Sequence, residues 1–287
     1  MPGPRAQLDV PSGHRRGKGP LGEATRGKTA PNRLRRLDLW LLRTERDLLL
    51  RPGPEPCVDL GYGRLPLTTA ESARSLRMLA PHLPVVGVEV DPARVEAAEP
   101  WADERTSFRL GGFDLPLTRE EGSARVIRAL NVLRQYEEDA VPGAWQLLGD
   151  QLADGGLLIE GTSDPLGRLM VVQLLRKTEG ELEDAGLLFS TNLRPTELEP
   201  AVFRAVLPKR WIHRVHDEGG VAPFLAAWER CWASDGLAVS AFGRRQVWRR
   251  AAEGLAAMGW DVTTDPWLLR RGFLAVRGLL EGGTDEG

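Results

Sequence analysis

The chain has 287 residues, of which 42% are hydrophobic and 27% charged, the composition of an ordinary globular protein with a core of normal size. No run approaches the roughly 18 apolar residues of a membrane span, and the N-terminus lacks the apolar core of a signal peptide, so we expect a cytoplasmic protein without membrane contact. Two cysteines are too few for a disulfide framework or a zinc set, which agrees with a reducing compartment.

Positive charge is concentrated at the start of the chain. Residues 1–36 hold nine Lys or Arg and two acids, so this segment carries +7 and the remainder carries −9. Residues 1–30 have almost no apolar side chains, which predicts a disordered basic tail. Such an arm can contact the phosphates of a nucleic acid, or it can be a solvated tail that aids solubility, and the sequence leaves both interpretations open.

Leucines recur among arginines at helical spacing in the next segment, and Pro52 and Pro54 follow it. The pattern predicts an N-terminal amphipathic helix within residues 31–54. We expect it to pack across a sheet, and its arginine face is also a candidate substrate contact.

An apolar strand then leads into two glycines, Gly61 and Gly63, with Asp59 two residues before the first. Glycine lets the backbone turn sharply and approach a ligand, and in open α/β sheets ligands lie beyond the carboxyl ends of the strands. Thr68 and Glu71 have the spacing of a capping box, which predicts that a helix begins at Thr68. The stretch as a whole predicts a site for a nucleoside-bearing ligand.

The second strand is predicted over Val85–Val90, a continuous apolar run that closes in the acid Glu89. Asp91 and Pro92 have the pattern of an N-cap and a first helical turn. A carboxylate at the end of this strand can accept both ribose hydroxyls of a nucleoside. Because Asp91 already caps the helix, we predict the ribose contact for Glu89.

Three further strands are predicted, the last of them preceded by a helix over Val141–Leu152 that Gly155 and Gly156 are expected to end. The strands are Thr106–Leu110, Ala124–Asn131 and Leu157–Thr162. The alternation of strands and helices predicts an α/β fold with a doubly wound, mostly parallel sheet, and a cofactor-binding core over residues 55–163.

Asp59, Gly61 and Gly63 form an acid-x-Gly-x-Gly run that resembles the first motif of class I S-adenosylmethionine-dependent methyltransferases. The resemblance implies a Rossmann-like sheet of seven strands and S-adenosylmethionine as the cofactor, with these three residues around its methionine and sulfonium end. The run departs from the fuller pattern at Leu65, where a third glycine is common.

The resemblance covers about residues 30–165. Three of its segments look like a group of bacterial methyltransferase-like proteins of undefined substrate: Pro31–Arg36, Asp59–Thr69 and Asn131–Tyr136. It implies that Asp114, in the loop after the third strand, meets the adenine amino group. It also implies that Asn131 and Tyr136, after the fourth strand, face the transferring methyl group and the acceptor. The run Asn-Pro-Pro-Tyr of enzymes that methylate exocyclic amino groups is absent.

The predicted function is methyl transfer from S-adenosylmethionine to an unidentified acceptor, a small molecule or RNA. One alternative is a non-catalytic or RNA-directed binding protein that keeps the cofactor fold. Another is an NAD(P)-dependent oxidoreductase, against which Pro66 argues because it stands where a dinucleotide fingerprint needs its third glycine.

The resemblance weakens after residue 163. We expect residues 164–240 to be an insertion that caps the cleft, with a hairpin of strands at Leu169–Leu175 and Gly186–Leu193. Residues 241–280 are expected to supply a closing helix and two closing strands, Trp260–Thr264 and Phe273–Val276. His213 and His216 are too isolated to predict a metal site. The sequence does not indicate an oligomeric state.

Overall fold

The computed structural model describes residues 21–24, 29–194, 198–212, 214, 220–234 and 243–280. The strands are β1 Cys57–Leu60, β2 Val85–Glu89, β3 Thr106–Leu110, β4 Ala124–Leu130, β5 Leu152–Ser163, β6 Leu169–Thr178, β7 Glu181–Thr191 and β8 Phe273–Val276. The helices are α1 Arg35–Thr44, α2 Arg46–Leu50, α3 Leu67–Arg77, α4 Pro92–Ala98, α5 Ala140–Asp150, α6 Lys209–Ile212, α7 Val221–Ser234, α8 Arg244–Ala257 and α9 Pro266–Arg270. His213, His216 and most of the predicted basic tail lie outside the described residues.

The strands form one eight-stranded sheet in the order β3-β2-β1-β4-β5-β6-β7-β8. The β3-β2-β1-β4 part is parallel throughout, and β7 pairs with β8 in the antiparallel sense. This strand order confirms the predicted fold class, a doubly wound, Rossmann-like α/β sheet. The sheet has eight strands rather than the expected seven, and it is mixed.

The predicted hairpin adds two strands, β6 and β7, to this sheet, while only one of the two predicted closing strands forms, so the total rises by one. The two-residue connection between β6 and β7, Glu179 and Gly180, has φ of 51° and 89°. Two consecutive residues with positive φ are the signature of the tight turn that joins antiparallel strands. Whether residues 164–240 cap the cleft stays a prediction.

The described chain divides into two compact units. The first comprises the described residues of Met1–Glu160 with Pro165–Gly167 and Leu175–Glu183, and the second comprises the remainder from Gly161 onward. Every residue of the candidate site described below belongs to the first unit.

The second unit has an aromatic core. Trp228 lies 5.2 Å from Phe189 and from Trp248 and 5.4 Å from Phe203, measured between ring centroids, and all four residues are buried. Edge-to-face and stacked pairs of this kind add about 0.5–1.5 kcal/mol each to the free energy of area burial. The closing strand predicted at Trp260–Thr264 is reduced to one bridge between Val262 and Val276.

The first helix differs from its prediction because Glu45 divides it into α1 and α2. The Glu45 carboxylate accepts a hydrogen bond of 2.8 Å from the guanidinium of Arg176. Glu45 stands at a position where the helical spacing of the leucines predicts an apolar residue, and the hydrogen bond from Arg176 satisfies its carboxylate there.

The predicted capping box is wrong, although α3 begins within one residue of the expected place. The Thr68 hydroxyl donates to the carboxylate of Asp59, and both oxygens of Glu71 accept from the backbone N–H of Asn32 at 2.9 Å. Both side chains therefore bond to residues distant in the sequence and do not cap the helix. The other predicted cap is correct, since the Asp91 carboxylate accepts from the N–H of Ala93 at 2.9 Å.

The start of β5 also differs from its prediction. Gly155 and Gly156 were expected to end the preceding helix, but the strand already begins at Leu152 and runs through both glycines. Gly155 has φ of 73°, and a Cβ on Gly156 would lie 2.7 Å from the carbonyl oxygen of Ala153. The glycines therefore permit a local distortion inside a strand rather than a helix end.

Glu160, on β5, is a buried acid with 1% of its surface exposed. Its Oε2 has no hydrogen-bond partner among the described residues. Burial raises the pKa of Glu160 to about 8, and the Trp145 side chain opposes this shift only in part. The carboxyl is therefore protonated in the folded protein at neutral pH and ionised in the unfolded chain.

We expect Glu160 to make the protein less stable as pH rises from about 4.5 to about 8, because the folded state then binds one proton more than the unfolded state. Glu160→Gln should remove this slope and raise the free energy of unfolding at pH 8 by a few kcal/mol, on the order of its pKa shift. Urea unfolding at several pH values measures the effect. Glu181→Gln, at an exposed position of the same sheet, is the control and should leave the slope unchanged. Parallel pH curves for wild type and Glu160→Gln would contradict the assignment.

No helix in the described part of the chain has the length and apolar character needed to cross a membrane.

Candidate cofactor site

The two glycines after β1 adopt backbone conformations that L side chains rarely take. Gly61 has φ of 70° and Gly63 has φ of 82°. The N–H of Gly61 donates to the carbonyl of Val88 at 2.7 Å, and the N–H of Gly63 donates to Glu89 Oε2 at 3.0 Å. The turn is thus tied to the end of β2, and its shape depends on glycine at both positions.

A cavity of about 460 Å³ lies against this turn. It is lined by Thr29, Arg33, Leu34, Asp59, Leu60, Gly61, Tyr62, Gly63, Arg64, Leu65, Thr68, Leu130 and Asn131. Asn131, directly after β4, has φ of 63°, although it is not a glycine. Strained backbone at a residue that lines a cavity is a common feature of functional sites.

Asp59 is 4% exposed and is held by groups beneath the cavity. Its Oδ2 accepts from the Thr69 hydroxyl at 2.6 Å and from the Thr68 hydroxyl at 3.3 Å, and it forms an ion pair of 3.0 Å with Arg128 Nη2. The geometry gives Asp59 a clear structural task, which is to fix the end of β1 against α3.

Arg128 connects Asp59 to a second buried acid. Its Nη1 donates to Asp38 Oδ1 at 2.7 Å and to the hydroxyl of Ser72 at 2.8 Å. Burial disfavours the charge of Arg128, but Asp59 and Asp38 outweigh it and raise the pKa of the guanidinium. Burial raises the pKa of Asp38 to about 6 against the attraction of Arg128. At neutral pH the three groups form a charged, paired network.

Glu89, the predicted ribose contact, is 1% exposed at the end of β2. Its Oε2 accepts from the N–H of Gly63 and its Oε1 from the N–H of Val90, both at 3.0 Å, and Arg94 Nη1 lies 3.4 Å from Oε2. A carboxylate has about four lone-pair positions, so Glu89 can accept a hydroxyl donor besides its contacts with Gly63, Val90 and Arg94.

A second, much smaller cavity of about 10 Å³ borders Glu89, and Gly61 lines both cavities. It is lined by Leu21, Gly22, Glu23, Leu60, Gly61, Glu89, Val90, Gly112, Phe113, Val132 and Tyr136. The Tyr136 ring packs edge-to-face on Phe113 at 5.6 Å between centroids, and its hydroxyl accepts from the N–H of Glu23 at 2.6 Å. Burial raises the pKa of Tyr136, so the hydroxyl keeps its proton at neutral pH.

The site residues predicted from the sequence are therefore distributed over two cavities. Asp59, Gly63 and Asn131 line the larger cavity, Glu89 and Tyr136 line the smaller one, and Gly61 borders both. Asp114 is exposed beside the smaller cavity, where its Oδ1 accepts from the N–H of Leu21 at 2.9 Å. Asn131 and Tyr136, predicted together for the acceptor, line different cavities.

Sequence reasoning missed three contributors to the site. Arg128 gave no signal because its partners Asp38 and Asp59 lie 90 and 69 positions away in the chain. Thr29 and Leu21 fall within the predicted disordered tail, yet Thr29 lines the larger cavity and Leu21 the smaller. Arg33, which also lines the larger cavity, precedes α1 and could have been suspected only from the basic segment Pro31–Arg36.

No cluster of three or more His, Cys, Asp or Glu that could hold a metal ion occurs among the residues that the structure describes. No protein-family model and no curated protein sequence matches the chain.

Solved structures give distant matches. The chain is similar to the methyltransferase domain of the citrinin polyketide synthase (16% identity, 45% of this chain and 34% of that chain, TM-score 0.37). It is similar to the plantazolicin methyltransferase solved with S-adenosylhomocysteine (12% identity, 45% of this chain and 47% of that chain, TM-score 0.34). It is also similar to the N-methyltransferase NodS of Bradyrhizobium japonicum (20% identity, 45% of this chain and 67% of that chain, TM-score 0.30). The match thus spans from about a third to two thirds of those chains, and similarities this distant assign neither activity nor ligand to this one.

Proposed function

We propose that the chain is an S-adenosylmethionine-dependent methyltransferase. The observation that carries the proposal is the Gly61–Gly63 turn, whose Gly63 amide is fixed by the buried carboxylate of Glu89. The turn lies between that carboxylate and a cavity of about 460 Å³. An acid at the end of the second strand beside a glycine turn suits the ribose of a nucleoside cofactor, and the cavity beyond the turn has the volume of a small-molecule site.

The residues present fit the parts of this cofactor. Glu89 would accept from the ribose hydroxyls, and the Gly61 and Gly63 backbone would allow close approach of the ligand. Arg33 and Arg64 line the larger cavity and place positive charge there, which suits the cofactor's carboxylate or an anionic acceptor. Asn131 lies at the carboxyl end of β4, where an amide can orient an acceptor.

The bound cofactor would supply an activated methyl group on a sulfonium, so the protein's main task is to hold the acceptor in line. The lining described for the larger cavity contains no His, Cys or Lys, and its one acid, Asp59, is paired with Arg128. Proximity and orientation, worth up to about 7–11 kcal/mol of a barrier, are therefore the catalytic contribution that these residues offer. The acceptor is unidentified.

A second candidate is a binding protein that keeps the fold but takes no cofactor. The specific observation that favours it is the small residual volume beside Glu89, about 10 Å³, with Leu21 and Glu23 in its lining. Calorimetric titration separates the two candidates. S-adenosylmethionine and S-adenosylhomocysteine should bind with micromolar dissociation constants, and NADH should not bind. Binding of neither sulfur nucleoside, or tighter binding of NADH, would reject the methyltransferase.

Gly61→Ala tests whether the turn serves the ligand or only the fold. Gly122 is the matched control, because its φ of 63° is close to the 70° of Gly61 and a Cβ there would have no atom within 4 Å. Both alanine variants should lose about 1 kcal/mol of stability from the strained φ. We expect only Gly61→Ala to weaken S-adenosylhomocysteine binding, by about tenfold or more. If calorimetry gives the same affinity for both variants, the turn does not contribute to binding of the ligand.

A further inference from the structure

The described residues just before the first helix hold a fixed position on the core. Leu21 donates its N–H to Asp114 Oδ1 at 2.9 Å and accepts from the N–H of Phe113 at 2.8 Å. Glu23 donates its N–H to the Tyr136 hydroxyl at 2.6 Å and accepts from Gln135 Nε2 at 3.0 Å. Disorder was predicted for residues 1–30, and these four hydrogen bonds correct that prediction for the 21–24 segment.

The hydrogen bonds of Leu21 have the pattern of an adenine edge. Adenine presents an amino donor next to a ring-nitrogen acceptor, and the Leu21 backbone presents an N–H donor to Asp114 and a carbonyl acceptor to Phe113. Asp114 is the residue predicted to meet the adenine amino group. The Leu21 backbone thus uses the two groups, the Asp114 carboxylate and the Phe113 N–H, to which a nucleoside base would bond in this site.

The same segment fills the space that the nucleoside needs. A Cβ placed on Gly112 would lie 1.9 Å from the carbonyl oxygen of Leu21, so the two backbones are in direct contact. The volume left between this segment and Glu89 is about 10 Å³, whereas small-molecule sites measure about 300–1,000 Å³. The larger cavity, which Gly61 also lines, remains open.

We propose that Leu21–Ala24 is an autoinhibitory strap that competes with the adenosine part of the cofactor. The inference rests on the proposed function, because it concerns the same site. With the strap in place only the methionine end of the site is accessible. The cofactor binds the fraction of molecules in which the strap has withdrawn, and its apparent dissociation constant is raised by the inverse of that fraction.

Leu21→Pro in the full chain removes the N–H that Asp114 accepts, and Glu23→Pro removes the N–H that Tyr136 accepts. The segment lies outside every helix and strand of the described residues, so neither substitution interrupts one of these elements. Either substitution should lower the dissociation constant of S-adenosylhomocysteine by about tenfold, the worth of one or two hydrogen bonds. Leu21→Ala is the matched control, because it changes the same side chain, keeps both backbone groups and should bind like wild type.

Amide hydrogen exchange gives a second readout. In the ligand-free protein the Leu21, Glu23 and Phe113 amides should be protected. Saturating S-adenosylhomocysteine should expose the first two and leave Phe113 protected, since the base then replaces the Leu21 carbonyl.

The outcomes separate the strap from the proposed function. Equal ligand binding by wild type, Leu21→Pro and Leu21→Ala, with Leu21 and Glu23 still protected in the complex, would overturn the strap and leave the methyltransferase standing. Failure of wild type and both proline variants to bind either sulfur nucleoside would overturn the proposed function, and the strap with it. Binding that strengthens only in the proline variants supports both.

Discussion

Glu89→Gln is expected to weaken the binding of S-adenosylhomocysteine by about a hundredfold, which corresponds to roughly 2.7 kcal/mol. The loss of one hydrogen bond from a ribose hydroxyl to a buried carboxylate, worth about 1.5–3 kcal/mol when the acceptor is charged, accounts for a change of this size. Isothermal titration calorimetry of the purified variant measures the change.

Glutamine nearly preserves the size of the side chain but not its hydrogen bonds. Both carboxylate oxygens already accept a backbone N–H, from Gly63 and from Val90. An amide has one oxygen, so its NH2 group must face one of those N–H donors and leave it without an acceptor in a buried place. The variant therefore disturbs the turn as well as the ribose contact, and its melting temperature should fall.

Asp91→Asn is the matched control for charge and position. Asp91 lies two residues further along, is only half-buried and caps α4, a task that asparagine performs equally well. We expect its affinity for S-adenosylhomocysteine to remain within about twofold of wild type. If Glu89→Gln binds as tightly as Asp91→Asn, the ribose contact is not at Glu89.

Strands of the parallel half could be predicted because a strand that is buried on both faces appears in the sequence as a run of consecutive apolar residues. β2 consists of five buried residues and was expected over Val85–Val90, within one residue of its observed end. β3, in which buried and less buried residues alternate, and the antiparallel β8 also have the predicted bounds, Thr106–Leu110 and Phe273–Val276. A strand covered on both faces needs no alternation, so its length is set by the apolar run alone.

The hairpin strands show where pattern stops being sufficient. Leu169–Leu175 and Gly186–Leu193 were recognised as strands, but local sequence does not specify which sheet a strand joins. β6 and β7 continue beyond these apolar stretches into polar residues, up to Thr178 and from Glu181. The backbone ladder, rather than the side chains, fixes those ends.

The strap could not be predicted for a similar reason. Its contacts with Asp114 and Phe113 are made by the backbone of Leu21, which every residue except proline can supply. Composition describes only side chains, and a segment rich in glycine and arginine is typical of disorder. The same limitation applies to the network below the glycine turn, because Arg128 in a strand sequence gives no indication of which acids it meets.

Arg128→Met is expected to lower the free energy of unfolding by about 3–5 kcal/mol, the usual cost of removing one partner from a buried ion pair. Arg128 is 3% exposed, and its guanidinium pairs with Asp38 at 2.7 Å and with Asp59 at 3.0 Å. Methionine fills much of the space but leaves two buried carboxylates without their counter-charge. Urea unfolding followed by circular dichroism measures the loss, and Arg105→Met, which removes an exposed pair with Glu104, should cost less than about 1 kcal/mol.

The dependence of this loss on pH distinguishes charge from packing. Burial already raises the pKa of Asp38 to about 6 while Arg128 opposes it, so removal of Arg128 should raise that pKa further. A raised carboxyl pKa costs stability as pH rises above the unfolded value of about 3.8 and costs nothing below it. The deficit of Arg128→Met should therefore shrink as pH falls from 8 to about 5, and Asp38→Asn in the same chain should recover part of it at pH 8. A deficit that is equal at both pH values, and unaffected by Asp38→Asn, would mean that Arg128 acts through its packing and not through its charge.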